Sequence, residues 1–209
     1  PFAGWLAICM GVYVVLAHAA DLLQKARAFR VGVIAGMRRL SAGYYGMVLA
    51  HCGLALVVAG VTLVSFNDQE HDLRMSVGDT DQVGGYDFRF VSLDDVDGPN
   101  YTAKQAVFEV YRGDYQIGVM KPEKRTYLAS GQVMTEAAID AGVMRDLYVA
   151  MGEPLDEKAW AIRIYYKPGV RWLWLGALVM AIGGALAISD RRYRLRREAA
   201  EQEAEHAAA

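Results

Sequence analysis

Cysteine, proline and histidine are scarce in this chain, and the places they avoid are informative. The two cysteines, Cys9 and Cys52, both lie in apolar stretches. The polar middle of the chain therefore has no disulfide and must be held by a core, even in an oxidising compartment. None of the five prolines interrupts an apolar stretch. That fits poorly with a transporter fragment, which needs discontinuous helices around a midplane site. No CxxC, HExxH, glycine-rich phosphate loop or serine elbow occurs, so thiol redox, zinc-protease, nucleotide and serine-hydrolase chemistry have no motif to rest on. No internal repeat is present. Basic charge is also short in the middle of the chain, where 65–167 holds 18 Asp or Glu against 11 Lys or Arg, a net of −7. An acidic domain of this kind is not a nucleic-acid binder.

What the chain does have is apolar residues in blocks. Of its 209 residues 54% are hydrophobic, gathered near 2–20, 43–64 and 172–188, each close to the ~20 residues that cross a bilayer. Lys25, Arg27, Arg30, Arg38 and Arg39 follow the first block, and Arg191, Arg192, Arg194, Arg196 and Arg197 follow the third. Short basic flanks stay on the cytoplasmic side, so the acidic insert faces outward. The expected organisation is a transmembrane helix at 1–21 and a basic amphipathic helix along the inner face at 22–42. A second span at 43–64, an outward-facing β-rich domain at 65–168, a third span at 169–189 and a cytoplasmic tail at 190–209 complete it. In 22–42 the stripe is Leu22, Ala26, Phe29, Val33, Met37 and Leu40, although Gly32 and Gly36 weaken the helix. No charged n-region or cleavage site precedes Phe2, so block one does not read as a signal peptide. A chain that opens at Pro1 inside an apolar block reads as the carboxy-terminal piece of something longer, or as a processed product.

The fold class that follows is an α-helical membrane protein with an inserted all-β domain, a small antiparallel barrel or sandwich. Within the insert, Tyr86, Phe88 and Phe90 alternate after Gly84-Gly85, and Arg112-Gly113-Asp114 predicts a hairpin turn into a strand at 115–120. Strands are also predicted at 146–151 and 160–166, and a short helix at 134–141. Asp94 and Asp95 read as solvated loop acids. Lys121-Pro122-Glu123-Lys124-Arg125 reads as a surface turn, with an anionic group such as a haem propionate as the sharper alternative.

One residue resists a bland account. His51 lies well inside the second block, and an ionisable group at that depth is a functional-site candidate by default. Imidazole holds haem iron and other transition metals; alternatively His51 only hydrogen-bonds a backbone carbonyl or a hydroxyl on a neighbouring helix. On the same helix Gly46, Ala50, Gly53, Val57 and Gly60 form a stripe of small residues that suits close helix packing. His51 points away from it, toward the side of Tyr44, Met47, Leu54, Ala55 and Val58, so further helices are expected around it. His18, measured from the end of its block, sits about 3 Å along the axis and His51 about 12 Å. That mismatch of about 9 Å argues against pairing on one iron, whose two ligating nitrogens lie about 4 Å apart. His18 is expected at the interface, and any ligand opposite His51 from outside this chain. His71 and His206 have no ligand-like neighbourhood.

A family resemblance rests on ordered motifs. These are Gly46-Met47-Val48-Leu49-Ala50-His51 with Gly53, Arg74-Met75, Gly84-Gly85-Tyr86, Gly98-Pro99-Asn100-Tyr101 and Pro122-Glu123-Lys124-Arg125 with Tyr127. Thr135-Glu136-Ala137-Ala138-Ile139, Asp146-Leu147-Tyr148-Val149, Gly152-Glu153-Pro154 and Tyr165-Tyr166-Lys167-Pro168 follow. The chain resembles the carboxy-terminal part of CcmF, the membrane subunit of the System I cytochrome c haem lyase, over nearly everything but the tail. The relative NrfE looks similar here.

The resemblance implies haem as a substrate received from the chaperone CcmE and attached, with CcmH-type subunits, to CxxCH motifs of apocytochromes c. It implies a bacterial inner-membrane location with 65–168 in the periplasm. It also implies a resident haem b held by two intramembrane histidines, one in the motif occupied by His51, and so makes His51 an axial iron ligand. The chain lacks the family's tryptophan-rich WWD segment, the two outward-facing histidines and the second resident-haem histidine. It is therefore expected to work only with an amino-terminal remainder or separate subunit, and to be incomplete and inactive alone. A catalytic residue is not assigned. The rival reading is a non-catalytic membrane scaffold in which His51 merely ties helices together.

Overall fold

The computed structural model describes residues 2–190; most of the expected tail at 190–209 lies outside the described residues. The chain divides into two compact units, a β unit from Leu63 to Arg171 and a helical unit made of the residues on either side of it.

In the helical unit α1 runs Phe2–Ala28, α2 Val33–Met37, α3 Ala42–Asn67 into the β unit, and α4 Val170–Ile188 out of it. The helices α1, α3 and α4 are each long and apolar enough to cross a membrane. The small-residue stripe does what its composition predicts. A Cβ on Gly46 would lie 2.5 Å from the Gly183 carbonyl oxygen, and one on Gly53 would lie 2.7 Å from that of Gly176. Backbone therefore meets backbone along α3 and α4, which only glycine permits. At one end of the pair the Gly43 N–H donates to the Asp190 carboxylate at 2.8 Å, an anion meeting an otherwise orphaned donor of the first helical turn. Ser41 starts α3, its hydroxyl accepting the Tyr44 N–H at 3.2 Å, an N-cap bond.

The single helix expected over 22–42 is not formed. Instead α1 continues to Ala28, the chain turns, and α2 is only five residues long. Arg30 at φ 53° and Gly32 at φ 88° hold the break, a left-handed backbone that no helix tolerates. The turn folds α2 back so that Gly36 lies on the Ala26 carbonyl, where a Cβ has no room. The two glycines that weakened the sequence pattern are the ones the turn uses.

The β unit is a sandwich of two antiparallel sheets. One has the order β1 (Gln69–Ser76), β10 (Ala159–Pro168), β9 (Arg145–Pro154), β8 (Ala138–Ala141). The other has the order β2 (Thr80–Val83), β3 (Tyr86–Asp97), β4 (Tyr101–Arg112), β6 (Glu123–Tyr127), β7 (Val133–Glu136). The strand β5 (Tyr115–Met120) pairs with β4 beyond β6, across the hairpin turn expected at Arg112-Gly113-Asp114. Gly113 there has φ 60°. Alternate residues point inward: Phe88 and Phe90 from β3, Phe108 and Val110 from β4, Leu147, Val149 and Met151 from β9, Ile162 and Ile164 from β10. Phe90 stacks on Phe108 with ring centroids 4.8 Å apart. Each such side chain contributes about 1.5–3 kcal/mol on burial, the core that the missing disulfide made necessary. The helix expected at 134–141 is replaced by β7 and β8, which belong to different sheets. Each finds a partner strand there, and the pairing overrides a weak local preference for helix.

Candidate functional site

His51 projects from α3 on the side away from the α4 seam, toward α1. Three contacts close the α1–α3 seam: Gly11 against Ala55, His18 against His51, and the Tyr44 hydroxyl donating to the Asp21 carboxylate at 2.7 Å. Lys25 also donates to Asp21, at 2.6 Å, and its ammonium lies 4.5 Å from the centre of the Tyr44 ring. Further along the seam, Ile8, Val12, Ala55, Leu56 and Ala59 line an apolar groove of about 240 Å³.

The His18–His51 contact corrects the expected depth mismatch. Their ring centroids are 4.8 Å apart with the planes tilted by 37°. The error came from taking the end of the apolar block as the end of the helix. Because α1 runs on to Ala28 and α3 starts at Ala42, both histidines lie about 14–15 Å from the ends that face the α2 turn, at 1.5 Å per residue. Gly11, His18 and Asp21 share one face of α1, and Tyr44, His51 and Ala55 share one face of α3. That spacing of threes, fours and sevens was the available signal. The contact does not make His18 the second ligand of the same iron in this arrangement. Two imidazoles across an iron keep their ring centres roughly 6 Å apart, given iron–nitrogen bonds near 2 Å plus half a ring on each side.

The His51 ring itself is set up for one metal bond. Its Nδ1 lies 2.9 Å from the Met47 carbonyl oxygen. A carbonyl only accepts, so in this bond Nδ1 is the donor, and Nε2 is the nitrogen left to coordinate a metal. An N–H committed to a backbone carbonyl, with the other nitrogen free to coordinate, is the usual support for a metal-ligating histidine. The residues present thus fit an axial ligand of haem iron. Among the described residues no group of three or more His, Cys, Asp or Glu gathers to hold a bare metal ion.

The charged clusters of the β unit are engaged with one another. Lys124 donates to the Gly152 carbonyl at 3.0 Å, and Arg125 donates to Glu123 at 2.7 Å while its guanidinium lies over the Tyr101 ring. The Lys121–Arg125 segment is therefore an internal brace across β4 and β9, and no free cationic turn remains at Lys124 and Arg125. Burial disfavours a charged Glu123, but hydrogen bonds from Arg125 and Gln105 outweigh it and hold the carboxyl below its ordinary range. Arg163 grips Asp72 with two nitrogens and Arg74 bonds Asp156, which lowers both carboxyls. His71 bonds Asp81 at 2.8 Å, and Lys104 pairs with the exposed Asp95 at 2.7 Å.

The family described as the CcmF C-terminal beta-sandwich matches residues 66–168, almost the whole of this β unit. Over 187 residues the chain is 49% identical to the cytochrome c-type biogenesis protein CcmF of Pseudomonas aeruginosa.

The chain belongs to the CcmF family.

That alignment covers 90% of this chain and 28% of the relative, so the chain spans under a third of its relative's length. The Escherichia coli CcmF is 47% identical over 153 residues, covering 73% of this chain and 24% of that protein. NrfE of Haemophilus influenzae matches at 33% over 151 residues, 72% of this chain and 24% of its own length. A solved structure titled cytochrome c heme lyase CcmF has the same fold, with a TM-score of 0.64 at 17% identity, over 90% of this chain and 34% of that one. The sandwich, left open against a barrel by sequence, is thus the family's own architecture.

Proposed function

We propose that this chain is the carboxy-terminal part of a cytochrome c haem lyase of the bacterial inner membrane, with the sandwich on the periplasmic side. In this reading α1, α3 and α4 cross the bilayer and His51 is an axial ligand of a resident haem b. The opposite ligand comes from outside this chain. Two things support it: relatives named for cytochrome c biogenesis, and the basic segments that flank the apolar helices. The observation that carries the ligand assignment is His51 itself, deep in an apolar helix with Nδ1 bonded to the Met47 carbonyl and Nε2 left as the coordinating nitrogen. A haem bound there would supply a one-electron redox centre. The protein's own part is to hold the ring. Met47 fixes the tautomer, the Gly46–Gly53 stripe seats α3 on α4, and α1 presses on the opposite side through Gly11 and His18. Haem to be attached is a substrate, received from CcmE and joined to CxxCH cysteines of an apocytochrome c with CcmH-type subunits.

The test is a visible spectrum of the assembled protein. The expected result is a six-coordinate b-type Soret and α band that His51→Ala abolishes; a spectrum that survives the substitution overturns the assignment. The scaffold reading also has an observation on its side, since His51 already has a backbone acceptor and a ring neighbour. It predicts normal cytochrome c maturation with His51→Asn, whereas the ligand reading predicts its loss.

A further inference from the structure

One end of the β1–β10–β9–β8 sheet carries both connections to the long helices. Gln69, two residues beyond the end of α3, pairs with Tyr166, and Pro168, two residues before α4, pairs with Arg145. The turn from β8 to β9 lies at this same end. Its Gly142 N–H donates to the Arg145 carbonyl at 2.8 Å and to the Asp146 carboxylate at 3.1 Å. The two corner residues are Val143 and Met144, 71% and 67% exposed. Turn corners ordinarily go to Gly, Pro, Asn, Asp or Ser, which supply backbone freedom or a local hydrogen bond. Val and Met supply neither, and the turn is closed instead by its backbone, by Asp146 and by Arg145, whose guanidinium donates to the Asp140 carbonyl at 2.9 Å.

The height of this corner is set by one bond. The Gly169 N–H donates to the Met144 carbonyl at 3.1 Å, and α4, which is long and apolar enough to cross a membrane, starts at Val170. Met144 is therefore bonded to the residue that immediately precedes the first turn of α4. Nearby charges are occupied elsewhere. Arg145 pairs with Asp140 at 2.6 Å and reaches the Tyr86 hydroxyl, and Asp146 faces Arg171 at 3.7 Å. Arg112 and Lys167 lie over the Tyr86 and Tyr165 rings, so tyrosines and cations gather at this end, as in a headgroup zone.

We propose that Val143 and Met144 form a lipid-contacting tip that enters the headgroup and upper acyl region of the leaflet where α4 begins. A phospholipid surface is the occupant favoured by size. Two corner side chains fall far short of the ~1,000 Å² that a specific protein interface buries, whereas shallow insertion beside a transmembrane anchor needs no such area.

The test uses the full chain with Cys9→Ser and Cys52→Ser, a bimane-labelled Met144→Cys, and phosphatidylcholine vesicles. The control is Leu128→Cys, equally exposed at 67%. Its N–H bonds Asn100 in the β3–β4 turn, at the far end of β3 from Tyr86. Nitroxide lipids labelled high on the acyl chain are expected to quench position 144 at least about twofold more than position 128, with iodide showing the reverse order. Equal quenching by iodide at both positions overturns the proposal. So does a label at 144 shielded from both quenchers, which would mean protein covers the tip. The outcome does not depend on His51 or haem.

Discussion

In the β unit the buried positions hold Phe88, Phe90, Phe108, Leu147, Met151, Ile162 and Ile164, while in the long helices they hold chiefly Gly46, Gly53, Gly60, Gly176 and Gly183. The large side chains of the helices point the other way: Trp5, Tyr13, Leu16 and Trp174 are all exposed. The two halves of one chain follow opposite rules because their solvents differ. In water, large apolar groups gather inside. In a bilayer, lipid tails would meet those groups equally well, so helix contacts turn on how closely backbones can approach.

Emptying the sandwich should have the largest effect. Phe88→Ala removes a fully buried ring and is expected to cost about 3–5 kcal/mol. The full chain in detergent should lose the cooperative melting of its strand signal while its helical signal persists. A glycine-to-large change should act only on the helices. A Cβ at Gly53 would lie 2.7 Å from both the Gly176 oxygen and the Met180 nitrogen, so Gly53→Leu should push α3 and α4 apart at a cost of about 1–3 kcal/mol. Spin labels on the two helices would report a longer distance, and strand melting should be unchanged. If Gly53→Leu melts the sandwich, or Phe88→Ala parts the helices, the two rules are not independent.

The smallest effect sharpens the contrast through pH. Glu123 is depressed below its ordinary value of 4.5, so its contribution is complete above that value and disappears as pH falls through the lower folded one. Glu123→Gln should flatten that acid limb by about 1 kcal/mol, about 4 °C in melting temperature. An unchanged acid limb would show that the Arg125 and Gln105 bonds add nothing.

Much of this was legible in residue order. The alternation of Tyr86, Phe88 and Phe90 marked a half-buried strand, Arg112-Gly113-Asp114 marked a hairpin, and the Gly46–Gly60 stripe marked a helix seam. Each is a pattern with a period set by local geometry. The failures came where one stretch had to be ended or paired. Residues 134–141 lack a period strong enough to choose, and two sheets chose for them. The 22–42 segment looked like one helix because apolar spacing does not register a left-handed turn at Arg30 and Gly32.

His51 could be singled out from its setting alone, since a lone imidazole in an apolar run is conspicuous whatever surrounds it. Its neighbour could not. Whether His18 meets it depends on how far α1 extends past its apolar residues, on the α2 turn, and on the register of α1 against α3. Those are consequences of packing between segments distant in the chain. Residue order carries the faces and their chemistry, whereas which faces touch, and at what height, is settled only when the backbones come into contact.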